Sequence, residues 1–245
     1  DVFSTEEAMK FNDNIRSQMN KFDVDIVDLE GINEERLLFQ DSDIPAIIDR
    51  FTKEKVDAIF FPHCNFGSEN RVAGVAKALG VPVLIWGPRD DYPDSEGLRS
   101  RDSQCGMFAT GKVLRRHNVP FTYLTNSWIG SNEFEDGMRK FIRVASVVKS
   151  LKNLNILQIS TRPEPFCSVI CNENELIEKF NIPLDEYPRR CINQIEGKIK
   201  VFGILELNGR GSAVFVFDNV NKLLINALLG ILCGNCGSLD QLCGS

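Results

Sequence analysis

The chain has 245 residues, 43% of them hydrophobic and 25% charged, with a formal net charge of −6 at pH 7. That is the balance of an ordinary globular protein, long enough for one large or two modest domains. The acidic charge, with no basic stretch to offset it, argues against nucleic acid as a partner. The longest apolar run, 223–233, contains Asn226 and Gly230 and is too short to span a bilayer, so no membrane role is expected. No signal-peptide pattern precedes the first helix. The sequence opens on Asp1 rather than Met, and the expectation is that the natural N-terminus lies further upstream.

In chain order, Ser4 opens a helical segment to about Met19, with Glu6 and Glu7 in the first turn, where the helix dipole favours acids. Val24 to Leu29 alternates apolar and acidic residues, a short strand signal. Ile44 to Lys53 reads as a helix, Val56 to Phe61 as a strand, and Val72 to Leu79 as a helix stopped by Gly80. Val81 to Trp86 is again a strand, Cys105 to His117 a helix, Pro120 to Leu124 a strand and Glu133 to Leu151 a long helix. Leu154 to Ser160 is a further strand. Strands separated by helices of this length predict βαβ units and a Rossmann-like, doubly wound parallel sheet of the α/β class. Residues 1–150 form the expected first domain, and 151–245 an incomplete second α/β domain with an atypical apolar tail. In that tail, Lys200 to Leu207 and Ala213 to Phe217 read as strands, joined by Asn208-Gly-Arg-Gly-Ser212 as in a hairpin.

Eight cysteines do not suggest a disulfide scaffold in a chain of this size. Cys64, Cys105, Cys167, Cys171 and Cys191 are scattered, as in a reduced, cytoplasmic protein. Cys233, Cys236 and Cys243 supply at most three of the four ligands of a structural zinc site, so they read as free thiols and no metal site is assigned.

Chemistry concentrates in three loops that follow strands, the position where open α/β sheets bind ligands. The first is His63-Cys64-Asn65-Phe66-Gly67-Ser68-Glu69, dense in hydrogen-bonding groups, with Ser68 expected to cap the following helix. The second runs from Gly87 to Gln104 and sets Arg89, Arg99 and Arg101 among five acidic residues, a polar lip suited to a hydroxyl-rich ligand. The third, Thr161 to Ser168, carries Arg162 and Glu164 and is stiffened by Pro163 and Pro165. No glycine-rich phosphate cradle follows any strand and no Gly-x-Ser-x-Gly elbow is present, which lowers the odds of a nucleotide cofactor and of a serine hydrolase.

Four stretches carry a family resemblance: Phe60-Phe-Pro-His-Cys-Asn-Phe-Gly-Ser-Glu69, Trp86-Gly-Pro-Arg-Asp90, Arg101-Asp-Ser-Gln-Cys-Gly-Met-Phe-Ala-Thr110 and Leu157-Gln-Ile-Ser-Thr-Arg-Pro-Glu-Pro-Phe166. Through most of residues 1 to about 184 the chain resembles the L-fucose/L-arabinose isomerase family, in its N-terminal portion. The resemblance implies an aldose–ketose isomerase of carbohydrate metabolism that uses a divalent metal, usually Mn2+. It also implies homo-oligomers in which the first domain of one subunit borders a neighbour's active site. Substrate-binding candidates are His63, Cys64, Asn65, Phe66 and Glu69 in the first loop, Arg101 in the second and Arg162 in the third. Cys64 stands where the family carries a substrate-wall aromatic. The family's Glu, Asp and His metal ligands fall beyond the matching stretch, and no histidine follows His117. The expectation is therefore a chain that binds no metal, leaves the catalytic residues unassigned and is inactive alone. A non-catalytic sugar-binding or oligomerisation module is the alternative.

Overall fold

The computed structural model describes residues 3–152, 154, 156–159, 172–182, 184–187, 205–207, 211–213 and 215–216. The chain divides into two compact units, Asp1–Ser146 and Val147–Ser245.

The first unit is built on three short strands, β1 (Ile59–Pro62), β2 (Val83–Trp86) and β3 (Thr122–Tyr123), paired in parallel in the order β1-β2-β3. Its helices are α1 (Thr5–Met19), α2 (Ile44–Lys53), α3 (Glu69–Leu79), α4 (Ser103–Arg116) and, as far as Ser146, α5 (Asn132–Lys152). The alternation of side chains along a strand decides which helix covers which face. Ile59, Phe61, Val83 and Ile85 point to one side, where they join Ile47 and Phe51 of α2, Val72, Ala73, Val75 and Ala76 of α3, and Leu114 of α4. Leu84 and Trp86 point to the other, against Ala8 and Ile15 of α1 and Phe134, Met138 and Phe141 of α5, with Phe60 packed beside them. Both faces are therefore covered, which explains why β2 is buried at every position. The expected α/β architecture with helices on both faces is present. The order of the described strands runs in one direction, without a reversal.

Local signals set most boundaries. The Ser4 side chain accepts the Glu7 N–H at 3.2 Å and opens α1. Gly80 ends α3 in the left-handed region, with φ of 61°, a conformation that costs glycine little. One expected element is absent: Val24 to Leu29 is not a strand. Its Asp28 carboxylate accepts the Glu30 N–H at 3.1 Å and pairs with Arg16, so a local turn competes with a ladder. The segment still contributes to packing, Val24 to the second core and Val27 and Leu29 to the first.

In the second unit, β4 (Ile156–Ile159) and β5 (Leu184–Tyr187) pair in parallel with α6 (Glu173–Phe180) between them in sequence. β6 (Leu205–Leu207) and β7 (Gly211–Ala213) pair antiparallel, Leu205 opposite Ala213, so Gly211 and Ser212 of the expected connection lie in a strand instead. β8 (Phe215–Val216) leaves that pair and runs antiparallel to β4. The expected single strand Ala213 to Phe217 is thus divided between two partners. Residues 208–210 of the expected hairpin connection, the three C-terminal cysteines and most of the apolar tail lie outside the described residues. No helix among the described residues is long and apolar enough to cross a membrane.

Because Leu84 is wholly buried where β2 meets α1 and α5, truncation leaves a cavity that the flanking helices can fill only in part. Leu84→Ala is expected to destabilise the first unit by about 2–5 kcal/mol, read from the urea midpoint at constant m-value.

Candidate functional site

The carboxyl ends of β1 and β2 are continued by two loops, and both are clamped to the first turns of α4. The His63 N–H donates to the Trp86 carbonyl at 2.7 Å, carrying the strand pairing one residue past Pro62. The His63 ring is buried. Its Nδ1 lies 3.3 Å from the Phe61 carbonyl and its Nε2 2.9 Å from the Thr110 hydroxyl of α4. A carbonyl can only accept, so Nδ1 carries the proton and Nε2 accepts from Thr110. Burial lowers the His63 pKa to about 4, against the opposing pull of hydrogen bonds with the Phe61 and Trp86 backbone. The ring is therefore neutral near pH 7, with both nitrogens engaged.

The rest of the first loop folds over this histidine. Gly67 has φ of 88° and stands so close that a Cβ would meet His63 Cδ2 at 2.9 Å. A Cβ at Gly106 would meet the Phe66 carbonyl oxygen at 1.7 Å, so the loop rests directly on the α4 backbone. The Asn65 amide donates to the Ser4 carbonyl at 3.1 Å, and its oxygen accepts the Phe66 N–H at 2.7 Å. The Phe66 ring stacks on Phe3, with centroids 6.1 Å apart. Cys64 is buried, and burial pushes its thiol up to about 12 against the pull of the Arg101 charge. Both loops thus rest against the N-terminal half of α4, the first through Phe66 on Gly106 and the second through Asp90 on Ser103. Ser68 holds the N-cap position of α3 without capping through its side chain. Its hydroxyl accepts from Arg71 Nη1 at 3.1 Å instead, so the expected cap is not formed. Glu69 opens α3, half-buried.

In the second loop, Asp90 is the organising residue. Its carboxylate accepts the Ser103 N–H at 2.9 Å and the Gln104 N–H at 3.2 Å, two of the unpaired donors of the α4 N-terminus. Asp102 caps the next one, accepting from Cys105 at 3.4 Å. The Ser103 hydroxyl lies 2.6 Å from the Pro88 carbonyl and 2.8 Å from Asp90 Oδ1. The helix N-terminus is thus filled by this chain's own carboxylates, leaving none of its dipole free for a ligand anion. Arg101 is 1% exposed. Its Nη2 donates to the Arg89 carbonyl and to Asp91, both at 3.0 Å, while Nε and Nη1 have no hydrogen-bond partner. The guanidinium lies 3.6 Å over the Phe11 ring of α1, a cation–π contact that closes the loop onto that helix. From the loop after β3, Asn126 donates to the Gly87 carbonyl at 2.9 Å and Ser127 accepts the Trp86 indole N–H at 3.0 Å.

His63, Cys64 and Arg101 are the buried members of the predicted set. Asn65, Phe66 and Glu69 are the half-buried members of the set, while Arg162 lies outside the described residues. Asp90, Thr110, Asn126 and Ser127 were not singled out from sequence. A buried threonine on the Gly106-Met107-Thr110-Leu114 stripe of α4 was the available signal for one of them, because a polar residue on a core-facing helical stripe needs a partner. Among the described residues no three His, Cys, Asp or Glu side chains come together as a metal ion requires. The Mn2+ implied by the resemblance finds no fitting donor set there.

The first unit is an α/β scaffold with helices on both faces and two strand-end loops fixed to α4. The sequence model of the fucose/sulfoquinovose isomerase N-terminal domain matches residues 1–152, and the chain belongs to that family. No curated protein matches the chain.

Two variants separate the clamp from ordinary helix propensity. Gly106→Ala drives a methyl group into the Phe66 carbonyl and should cost about 1–3 kcal/mol. Gly74→Ala, in an α3 position with nothing within 4 Å, should be neutral or stabilise by up to about 1 kcal/mol. Chemical denaturation of both variants measures the contrast.

For His63 the folded pKa lies below the unfolded one, near 6.5. Below pH 6.5 the unfolded chain therefore takes up a proton that the folded chain refuses. The stability associated with the neutral ring is full above pH 6.5 and is lost as pH falls toward 4, by on the order of 3 kcal/mol. His63→Gln should flatten the pH dependence of the urea midpoint between pH 6.5 and 5.

Proposed function

We propose that this chain supplies the sugar-facing N-terminal domain of an aldose–ketose isomerase of the L-fucose/L-arabinose type, acting in cytoplasmic carbohydrate metabolism. One observation carries the reading: the family match covers the very residues that form the two locked strand-end loops. In this reading Asn65, Phe66 and Glu69 contact the sugar. His63, Cys64 and Arg101 hold the loop backbones beneath them, and Arg162 contributes from the third loop. A free, buried Cys64 and a free, exposed Cys105 suit a reducing compartment.

Isomerisation through an enediol needs the carbonyl polarised and a base placed to move one proton between adjacent carbons. Mn2+, where bound by a complete family member, supplies the polarisation. His63 is a poor base, since Nδ1 donates to Phe61 and Nε2 already accepts from Thr110. Asp90 is tied to the α4 N-terminus. These side chains bind, orient and fix the loops, and the proton transfer is left to residues outside the described set.

The polypeptide incubated with L-fucose or L-arabinose and Mn2+ is accordingly expected to form no ketose, while isothermal titration shows weak, millimolar binding of these sugars. Robust turnover would show that this polypeptide by itself carries the proton-transferring groups and would overturn the reading of it as catalytically incomplete. Absence of any binding at millimolar sugar would remove the substrate reading and leave an interaction module.

A further inference from the structure

Two surfaces of the first unit are left uncovered among the described residues, and they complement each other. The first is the tip of the second loop, residues 91–99. Asp94 closes it on itself: its carbonyl accepts the Gly97 N–H at 3.0 Å, and its carboxylate accepts the Glu96 N–H at 2.9 Å and the Leu98 N–H at 2.8 Å. The Asp94 N–H donates to the Leu98 carbonyl at 2.9 Å. The loop base is anchored by Asp90 on α4 and by Arg101 against Phe11. The result is a shaped arm that presents Tyr92, 95% exposed, and Leu98, 63% exposed, to solvent. Its charges are Asp94 and Glu96 against the cation Arg99, with Asp91 at its base paired to Arg101.

The second surface is the outer side of α4 together with β3, the end strand of the described sheet. Phe108, 59% exposed, stacks on Tyr123, 39% exposed, at 6.1 Å between centroids. Lys112 and Arg115 follow Phe108 at helical spacing, with Arg116 beside them, and all three are exposed. None of the three makes an ion pair among the described residues. An aromatic pair ringed by unpaired cations faces solvent on the same molecule that projects an acidic arm with an aromatic tip.

We infer that the arm of one copy of this chain docks on the α4/β3 face of a second copy, Tyr92 and Leu98 packing against Phe108 and Tyr123 while Glu96 meets Lys112 and Arg115. The inference stands on this complementarity and does not depend on the sugar reading. Aromatic anchors at the centre with charges at the rim is the arrangement that gives protein contacts both affinity and register. Each copy carries one arm and one face, so the contacts form a reciprocal pair, a ring or an open chain of copies.

The test uses the full chain. A photo-crosslinking benzoylphenylalanine replaces Tyr92, and equal amounts of this protein in 14N form and the unsubstituted protein in 15N form are mixed and irradiated. Mass spectrometry should then find mixed-isotope cross-links to residues 103–123. In parallel, sedimentation should show an assembly whose dissociation constant rises at least tenfold in Glu96→Lys and in Phe108→Asp. Mixing Glu96→Lys with the double variant Lys112→Glu/Arg115→Glu should restore association. A monomer at every concentration, cross-links confined to one isotope or to another surface, or an assembly indifferent to both single variants would overturn the inference.

Discussion

The Asp90 carboxylate on the first turn of α4 is the contact on which the upper half of the first unit depends. It neutralises two orphan N–H groups at a positive helix end and joins the strand-end loop of β2 to α4 through backbone donors. Ser103 adds its hydroxyl to Pro88 and Asp90. With α4 placed in this way, Thr110 comes within reach of His63 and Gly106 comes under Phe66. The two loops are therefore shaped by one helix, and a change at its N-terminus is transmitted to both.

The burial of Arg101 extends the same logic to α1. A guanidinium with two nitrogens lacking a hydrogen-bond partner is costly in a low-dielectric interior. It is held there by Asp91, the Arg89 carbonyl and the face of Phe11. The same charge acts on Cys64 in the neighbouring loop. Local stability and the geometry of the sheet edge are in this way coupled, because loosening the guanidinium releases the long loop from the helix beneath it.

Much of the scaffold was legible because its signals are local. The helix Ile44–Lys53 matches its periodicity from end to end, and Gly80 stops α3 where a left-handed residue is required. The strands β1 and β2 are apolar runs buried on both faces, a composition that survives without any partner in view. Val24 to Leu29 failed because alternation records which residues can be buried, not whether a neighbouring strand is there to pair. At the candidate site, residue types singled out the loops but not their inner arrangement. Asp90 reaches Ser103 across 13 residues and His63 reaches Thr110 across 47, separations that only the packed fold brings together. Ser68 sits at its expected position, yet its hydroxyl accepts from Arg71 and not from the helix backbone.

The chain contains two tryptophans, and the fold places them in opposite surroundings. Trp86 is wholly buried, 4.5 Å from Phe134 by ring centroid and hydrogen-bonded through its indole to Ser127. Trp128 is about half exposed, with the Arg89 guanidinium 5.7 Å from its ring. Intrinsic fluorescence therefore divides into a short-wavelength component that follows the integrity of the core and a long-wavelength, quencher-accessible component that follows the rim. Events at the loops and events in the core can be told apart by emission colour in one cuvette, without an attached dye.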